Sequence, residues 1–168
     1  MKTVHVDSGH TEFIGHTDGH ELKIGIVVSR FNQYVTSRML STALETLSKL
    51  QVPETNITVV HVPGAFELPS AARKLAGMSD TDSVICLGAI IRGDTAHFEY
   101  ISSAISIGIE RAAADTWKPV IFGVLTTDNA QQAVERIAQS GDYALAAVEM
   151  GNLMRQLLTG EPDNAEHN

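Results

Sequence analysis

Side chains that could act on a small molecule are concentrated in one segment near the middle of the sequence, residues 92–97. Its letters, RGDTAH, combine an arginine, a glycine, a threonine hydroxyl and the imidazole of His97. A histidine titrates near neutral pH and can therefore serve as a general acid or base. Glycine and threonine in front of a helix can present N–H and O–H groups to an anion. The segment is predicted to place a proton-transfer group beside an anion site.

The same residues also have plainer interpretations. Asp94 and Thr95 are ordinary N-cap residues, and a single histidine is more often structural than catalytic. The carboxylate of Asp94 would disfavour an anion beside it, although its backbone N–H can still donate a hydrogen bond. Both interpretations stay open on the sequence alone.

Two further segments, residues 29–32 and 62–67, combine aromatic and polar residues. Phe31 could be a lid on the core or a ring that stacks on a planar heterocycle, with Asn32 supplying a donor and an acceptor. In the letters VPGAFE, Glu67 could interact with a helix dipole or could join the backbone of the turn in holding a polyhydroxylated chain. Neither pattern decides between its alternatives.

A fourth segment, residues 126–129, precedes a predicted helix that carries Arg136. Arg136 by itself is interpreted as a surface residue paired with Glu135 or with another acid. Cys86 lies within an apolar run and is predicted to be a core residue rather than a nucleophile. The sequence contains no dinucleotide-binding fingerprint, P-loop, serine-hydrolase or zinc-protease motif.

The elements that position these segments alternate between strand and helix patterns. Short β-branched runs predict strands buried on both faces, and stripes of apolar residues at helical spacing predict helices. The strands are predicted at residues 24–28, 57–62, 83–91 and 119–125, and the helices at 35–50, 69–78, 97–114, 129–139 and 143–158, with a short break at 140–142.

This alternation predicts the α/β class, as a three-layer α/β/α sandwich around a four-stranded parallel sheet with flavodoxin-like topology. In such folds ligands bind outside the carboxyl ends of the strands. All four segments follow predicted strands, so we expect them to meet at one edge of the sheet.

Composition narrows the classes of function. The chain has 168 residues, with 12 Lys and Arg against 20 Asp and Glu and a net charge of −8, which disfavours nucleic-acid binding. The longest apolar run, residues 84–91, falls far short of the roughly 20 residues of a membrane span. No secretory signal is apparent, and a single cysteine suits a reducing compartment. We therefore expect a cytoplasmic protein without nucleic-acid or membrane partners.

The chain is divided into a polar, histidine-containing arm at residues 1–20, a domain at 21–159 and an acidic tail at 160–168. The arm is interpreted as mobile or docked on a partner, and its histidines lack the spacing of a metal site. Residues 1–21 and 160–168 hold seven acids and one base, so the remaining 13 acids and 11 bases leave residues 22–159 at −2.

Five sequence blocks together resemble those of the lumazine synthase family. They read IGIVVSRFN, VPGAFELP, GAIIRGDTAHFEY, PVIFGVLTTDN and QQAVER, in the family's order over about residues 22–157. The resemblance implies that 5-amino-6-ribitylaminouracil is condensed with 3,4-dihydroxy-2-butanone 4-phosphate to 6,7-dimethyl-8-ribityllumazine, with release of phosphate, in riboflavin biosynthesis. It implies no metal and no organic cofactor. It also implies a homopentamer or a multiple of pentamers with the site between subunits, and riboflavin synthase as a candidate partner.

The resemblance also assigns roles by position. Phe31 would stack on the pyrimidine, Asn32 would hydrogen-bond to it, and His97 would shuttle protons. The ribityl chain would be held by Ala65, Phe66 and Glu67. The pocket would be lined by the segment 89–92, including Ala89, Ile90 and Ile91. The phosphate would be received by Gly93, Asp94 and Thr95. The neighbouring subunit would add Phe122 and Arg136, the latter at the phosphate.

The chain departs from the family between Arg136 and the letters AVEM. Members usually carry a glycine- and lysine-containing stretch there, and this chain is several residues shorter. The active-site lysine has no counterpart: Gln139 or Ser140 stands nearest, and Asp142 corresponds to the acid that follows it. Three functions stay open, namely an active lumazine synthase, a shell-forming or ligand-binding homologue with weak or no turnover, and, from the fold class alone, a flavodoxin-like mononucleotide binder.

Overall fold

Strands and helices alternate along the chain, as the sequence predicts. The structure, a computed structural model, describes residues 9–93 and 97–162. Within these residues the strands are β1 (Ile24–Ser29), β2 (Ile57–Val62), β3 (Ser83–Ile91) and β4 (Val120–Thr127), and the helices are α1 (Gln33–Lys49), α2 (Leu68–Ala76), α3 (His97–Thr116), α4 (Ala130–Glu135) and α5 (Ser140–Thr159). None of these helices is long and apolar enough to cross a membrane.

The four strands form one parallel sheet in the order β2-β1-β3-β4. In β1, Ile24 lies opposite Ile57 of β2 on one side and Ser83 of β3 on the other. All six residues of β1 are buried, because helices cover both faces of a parallel sheet. The predicted three-layer α/β/α sandwich with flavodoxin-like topology is confirmed.

Side chains alternate between two apolar cores because successive residues of a strand point to opposite faces. On one face, Ile26 and Leu87 pack with residues of α1 and α5. On the other face, Val27 and Cys86 pack with residues of α2 and α3. Burial raises the pKa of the Cys86 thiol to about 12, so its assignment to the core rather than to nucleophilic chemistry is confirmed.

The junction between α4 and α5 differs from the prediction. The helix predicted over 129–139 ends at Glu135, where Arg136 leaves the helical path with φ −95° and ψ 0°, and a 3₁₀ turn follows at Ile137–Gln139. The predicted break at 140–142 is wrong, because α5 already begins at Ser140. Near this start α5 lies close to α1, since a Cβ at Gly141 would lie 3.1 Å from the hydroxyl oxygen of Thr46.

Helix α5 also packs closely on the edge strand β4, at Gly123. A Cβ at this position would lie 2.6 Å from the carbonyl oxygen of Cys86 and 2.8 Å from Cδ2 of Tyr143. Only glycine therefore fits between the backbone of β3 and the ring of Tyr143.

Part of the predicted arm packs on α5 of its own chain. The side-chain amide of Asn152 donates to the carbonyl oxygens of His16 at 2.9 Å and Asp18 at 2.8 Å, and that of Gln156 donates to Ile14 at 2.9 Å. Asn152 and Gln156 are buried, so these hydrogen bonds satisfy N–H donors that water does not reach, whereas the side-chain oxygen of Gln156 has no hydrogen-bond partner among the described residues. Residues 1–8 of the arm lie outside the described residues, as do residues 163–168 of the tail.

Candidate active site

A cavity of about 300 Å³ lies at the carboxyl ends of β1, β2 and β3, where the rule for parallel sheets places ligands. Its walls come from three of the four segments that the sequence analysis singled out. The lining residues are Phe31, Asn32, Gly64, Ala65, Phe66, Ala89, Ile90, Ile91, Gly93, His97, Phe98 and Ile101. We call Phe31, Asn32, Ala65, Phe66 and His97 the cavity group.

The first wall follows β1 and is fixed by hydrogen bonds. The Thr36 hydroxyl donates to the Ser29 carbonyl at 2.7 Å, and the Phe31 N–H donates to the carbonyl of Pro63 at 3.0 Å. Asn32 adopts the left-handed region, with φ 59°, and its amide donates to the carbonyl of Ala89 at 2.8 Å. One N–H of the Asn32 amide is thus used within the protein, and the group retains a second N–H donor and an acceptor oxygen.

The aromatic ring of the first wall is directed to solvent. The Phe31 side chain is 70% exposed, which rules out its alternative interpretation as a lid on the core. Exposure of an aromatic ring to water is unfavourable, so a ligand or partner that covers the ring lowers the free energy. The position suits stacking on a flat ligand.

The second wall is the turn after β2, which leads into α2. Ala65 and Phe66 line the cavity, and Phe66 is 59% exposed. Glu67 does not line it. Its carboxylate accepts a hydrogen bond from the Gly64 N–H at 2.9 Å and stands at the N-terminal end of α2. The structure thus gives Glu67 a local role in shaping the turn.

The third wall combines the end of β3 with the first turn of α3. Ala89, Ile90, Ile91 and Gly93 line the cavity, and His97 is an exposed residue at the start of α3. The predicted phosphate ligands Asp94 and Thr95 lie outside the described residues. The described residues that flank this gap, Gly93 and His97, line the cavity.

Three lining residues were not predicted as part of the site. Phe98 and Ile101 belong to the apolar stripe of α3, which the sequence analysis used only as a helix signal. Gly64 belongs to the turn after β2. Helical spacing could have found Phe98 and Ile101, because both lie within the first turns after the loop.

Arg92 does not line the cavity, although the family resemblance implies that the whole segment 89–92 lines the pocket. Its guanidinium lies 4.2 Å from the centroid of the Phe98 ring, and it forms ion pairs with Glu99 and, at 3.0 Å, with Asp128. The hydrogen bond from Arg92 holds the pKa of Glu99 below its usual range, and the two carboxylates raise the pKa of Arg92.

A second set of predicted residues lies elsewhere on the chain. Phe122 of β4 borders a separate groove formed with α3, Arg136 is exposed at the end of α4, and Asp142 is exposed in the first turn of α5. We call these three residues the β4–α5 group. None of them lines the cavity that holds His97. Within one chain, the structure therefore does not bring the two groups into one pocket.

The segment that replaces the family's lysine-containing stretch offers few groups to a ligand. Ser140 is fully buried and does not present its hydroxyl to solvent. Gln139 is exposed and accepts a hydrogen bond from the Tyr143 hydroxyl at 3.3 Å. Burial, followed by the charge of Asp142, raises the pKa of Tyr143, so its hydroxyl is a neutral donor.

A sequence model of the 6,7-dimethyl-8-ribityllumazine synthase family matches residues 21–155, which include the cavity group and the β4–α5 group. The chain belongs to this family. Membership in the lumazine synthase family connects the chain in general with riboflavin biosynthesis and with transferase chemistry. The resemblance of the five sequence blocks is thereby confirmed.

Proposed function

We propose that the chain is an active lumazine synthase. It would condense 5-amino-6-ribitylaminouracil with 3,4-dihydroxy-2-butanone 4-phosphate to 6,7-dimethyl-8-ribityllumazine, with loss of inorganic phosphate and water. The observation that supports this reaction most directly is the cavity beside β1 and β3, which combines an exposed ring, a side-chain acceptor and an imidazole.

The cavity group would bind the pyrimidine and move its protons. The ring of Phe31 stacks on the heterocycle, and the side-chain oxygen of Asn32 accepts a hydrogen bond from a ring N–H. Phe66, Ala65 and the backbone of the turn hold the ribityl chain. Glu67, whose carboxylate accepts a hydrogen bond from the Gly64 N–H, assists them. Bringing two reactants into register removes a large share of the barrier, up to roughly 7–11 kcal/mol.

His97 would transfer protons in imine formation, phosphate elimination and ring closure. In each step a proton leaves a nitrogen or carbon and another is delivered to a departing oxygen, so one group that alternates between acid and base serves all of them. A positioned histidine contributes about 10²–10⁴-fold to such steps. Gly93, Asp94 and Thr95 would receive the phosphate through backbone N–H groups and a hydroxyl.

The β4–α5 group would complete the site of a neighbouring subunit. In this arrangement Arg136 donates to the phosphate, Phe122 closes the aromatic side, and Asp142 lies beside them. The separation of this group from the cavity within one chain supports a site shared between subunits. We propose a homopentamer, or a multiple of pentamers, in which each subunit contributes to two sites.

Mixing the purified protein with both substrates and following the absorbance of the lumazine tests the activity. We expect turnover well above the uncatalysed condensation, with one phosphate released for each lumazine. Turnover equal to the background would reject the enzymatic proposal.

Mixed assemblies test the sharing of the site. His97→Ala and Arg136→Ala subunits are unfolded, mixed in equal amounts and refolded together, and activity is assayed at a butanone phosphate concentration far below the raised KM of Arg136→Ala, where each variant alone has little activity. If residues of two subunits form each site, about a quarter of the sites in a random mixture contain both intact residues, and activity returns. Activity that stays at the level of the separate variants would place both residues in one subunit's site.

One observation favours a second function, a ligand-binding or shell-forming homologue with weak turnover. The sequence has no lysine after Lys118, and Ser140, in the replaced segment, is buried. This alternative predicts pyrimidine affinity without turnover, so a fluorescence titration with the pyrimidine alone distinguishes it from an inactive, misfolded protein. Electron microscopy distinguishes a pentamer from a shell.

A further inference from the structure

Arg92 is tied to three separate pieces of the chain. Its backbone N–H donates to the carbonyl of Thr127 at 2.8 Å, at the end of β4. Its side chain pairs with Asp128 in the following loop at 3.0 Å and with Glu99 in the first turn of α3, and it lies over the ring of Phe98 at 4.2 Å. The end of β3, the start of α3 and the loop after β4 are therefore joined through one guanidinium.

These contacts lie directly behind the wall of the cavity. Phe98 lines the cavity and follows His97 in the sequence, while Ile91 and Gly93, on either side of Arg92, line it as well. A displacement of Arg92 would thus be transmitted to the residues that carry the imidazole.

The arrangement depends on the planar shape of the guanidinium. Arg92 uses Nε toward Asp128 and Nη1 toward Glu99 while its face covers Phe98. A lysine ammonium is a single point charge and cannot make all three contacts at once.

The contribution of this cluster to the free energy of unfolding is too small to explain its presence. The Arg92 side chain is 42% exposed and both carboxylates are more exposed still, and exposed ion pairs add little to the free energy of unfolding. The exposed pair of Arg73 and Asp115, at 3.1 Å, links α2 to the far end of α3 and provides a matched comparison away from the cavity.

We propose that Arg92 is a positioning residue, which holds the first turn of α3, with His97 and Phe98, in the orientation needed for proton transfer. The proposal rests on the proposed function, because the proton transfer by His97 is the step that it serves. Arg92 itself contacts neither substrate in this proposal.

Steady-state kinetics of Arg92→Gln test the proposal, with Arg73→Gln as the matched control. We expect the kcat of Arg92→Gln to fall roughly 10- to 100-fold, because small misplacements of a catalytic group have effects of this size. The KM for the pyrimidine and the Tm should change no more than in Arg73→Gln. Arg92→Lys should recover part of the lost kcat. An unchanged kcat in Arg92→Gln, or a loss that follows the Tm, would overturn the proposal.

A double-mutant cycle with His97→Gln separates positioning from an independent contribution. If Arg92 acts through the imidazole, adding Arg92→Gln to His97→Gln lowers kcat little further. If the two losses multiply, Arg92 does not act through His97 and the proposal fails.

An inactive wild-type protein would reject the proposed function without deciding the role of Arg92. In that case amide hydrogen exchange is measured across the start of α3. Faster exchange over residues 97–101 in Arg92→Gln, with no change there in Arg73→Gln, supports the positioning role. Equal exchange in all three proteins would overturn it.

Discussion

The cavity group and the β4–α5 group differ in how firmly the chain holds them. Asn32 is fixed by its hydrogen bond to Ala89, and the turn that carries Phe66 is closed by the hydrogen bond between Glu67 and Gly64. In the β4–α5 group, the side-chain hydrogen bond found within the described residues is a long one, 3.4 Å from Arg136 to the carbonyl of Thr126.

This difference indicates what each group needs from outside the chain. Side chains that are ordered before a ligand arrives lose less conformational entropy on binding. Asn32 and the turn that carries Phe66 meet this condition within one chain. The β4–α5 group does not, and its exposed side chains gain their order when another surface is placed against them. A site divided in this way should respond differently to substitutions in its two halves.

The largest effect is expected from His97→Ala in the cavity group. Removal of the only proton-transfer group proposed here should lower kcat by about 10²–10⁴-fold, measured by the absorbance of the lumazine. Sedimentation should show an unchanged assembly, because the role proposed for His97 is proton transfer and not contact with another subunit. Full activity of the variant would exclude His97 from the reaction.

Arg136→Ala tests the other half of the site. Loss of a charge-assisted contact to phosphate should raise the KM for the butanone phosphate by roughly 10- to 100-fold. The affinity for the pyrimidine, measured by fluorescence titration, should stay the same because the cavity group is untouched. Lys49→Ala, at the end of α1, removes the same charge elsewhere and should leave both constants unchanged. An equal loss of affinity for both substrates would make Arg136 a structural residue.

Gly123→Ala tests whether the close packing of α5 against β4 positions the β4–α5 group. The added methyl would meet the backbone of Cys86 and the ring of Tyr143, and such overpacking costs about 1–3 kcal/mol of unfolding free energy. Denaturant titration measures the loss. Gly9→Ala, with open space around it, is the control. A fully stable Gly123→Ala variant would mean that this contact does not position α5.

The smallest expected effect is the pH dependence of the stability that the Arg92–Glu99 ion pair contributes. Since Arg92 lowers the pKa of Glu99, the pair adds stability above the pKa of an unfolded glutamate. That stability is lost as the pH falls through the lowered folded value. A Tm difference between the wild type and Glu99→Gln should therefore be present at neutral pH and should disappear in acid. Glu45→Gln, an exposed substitution on α1, should show no such trend. A difference that grows in acid would contradict the assignment.

The sequence predicted those features that depend on local pattern. The β-branched runs of β1 and β3 and the apolar stripes of the helices identified the elements and their order. The rule for parallel sheets then brought residues near 31, 65 and 97 together at one edge. These residues do line one cavity.

Features that depend on contacts distant in sequence were missed. The ion pair between Arg92 and Asp128 spans 36 positions, and no pattern near either residue indicates it. The packing of the arm on α5 uses backbone carbonyls of residues 14–18 as acceptors, which every sequence provides. The close approach of Gly141 to Thr46 near the start of α5 is visible only once α1 and α5 are adjacent.

The packing of the arm on α5 also determines where the charge of the molecule is found. Ile14 and Glu21 contact the last turns of α5 through Gln156 and Arg155, and the acidic tail begins where that helix ends. Residues 14–21, which pack on α5, and residues 160–162, which directly follow it, hold three acids and no base, and they bring this negative charge to one helix of a nearly neutral body. Any assembly that gathers these acidic segments on one side must overcome their mutual repulsion. Salt at 0.1 M largely screens this repulsion between charges that are more than about 10 Å apart. Association of such chains should therefore strengthen as ionic strength rises.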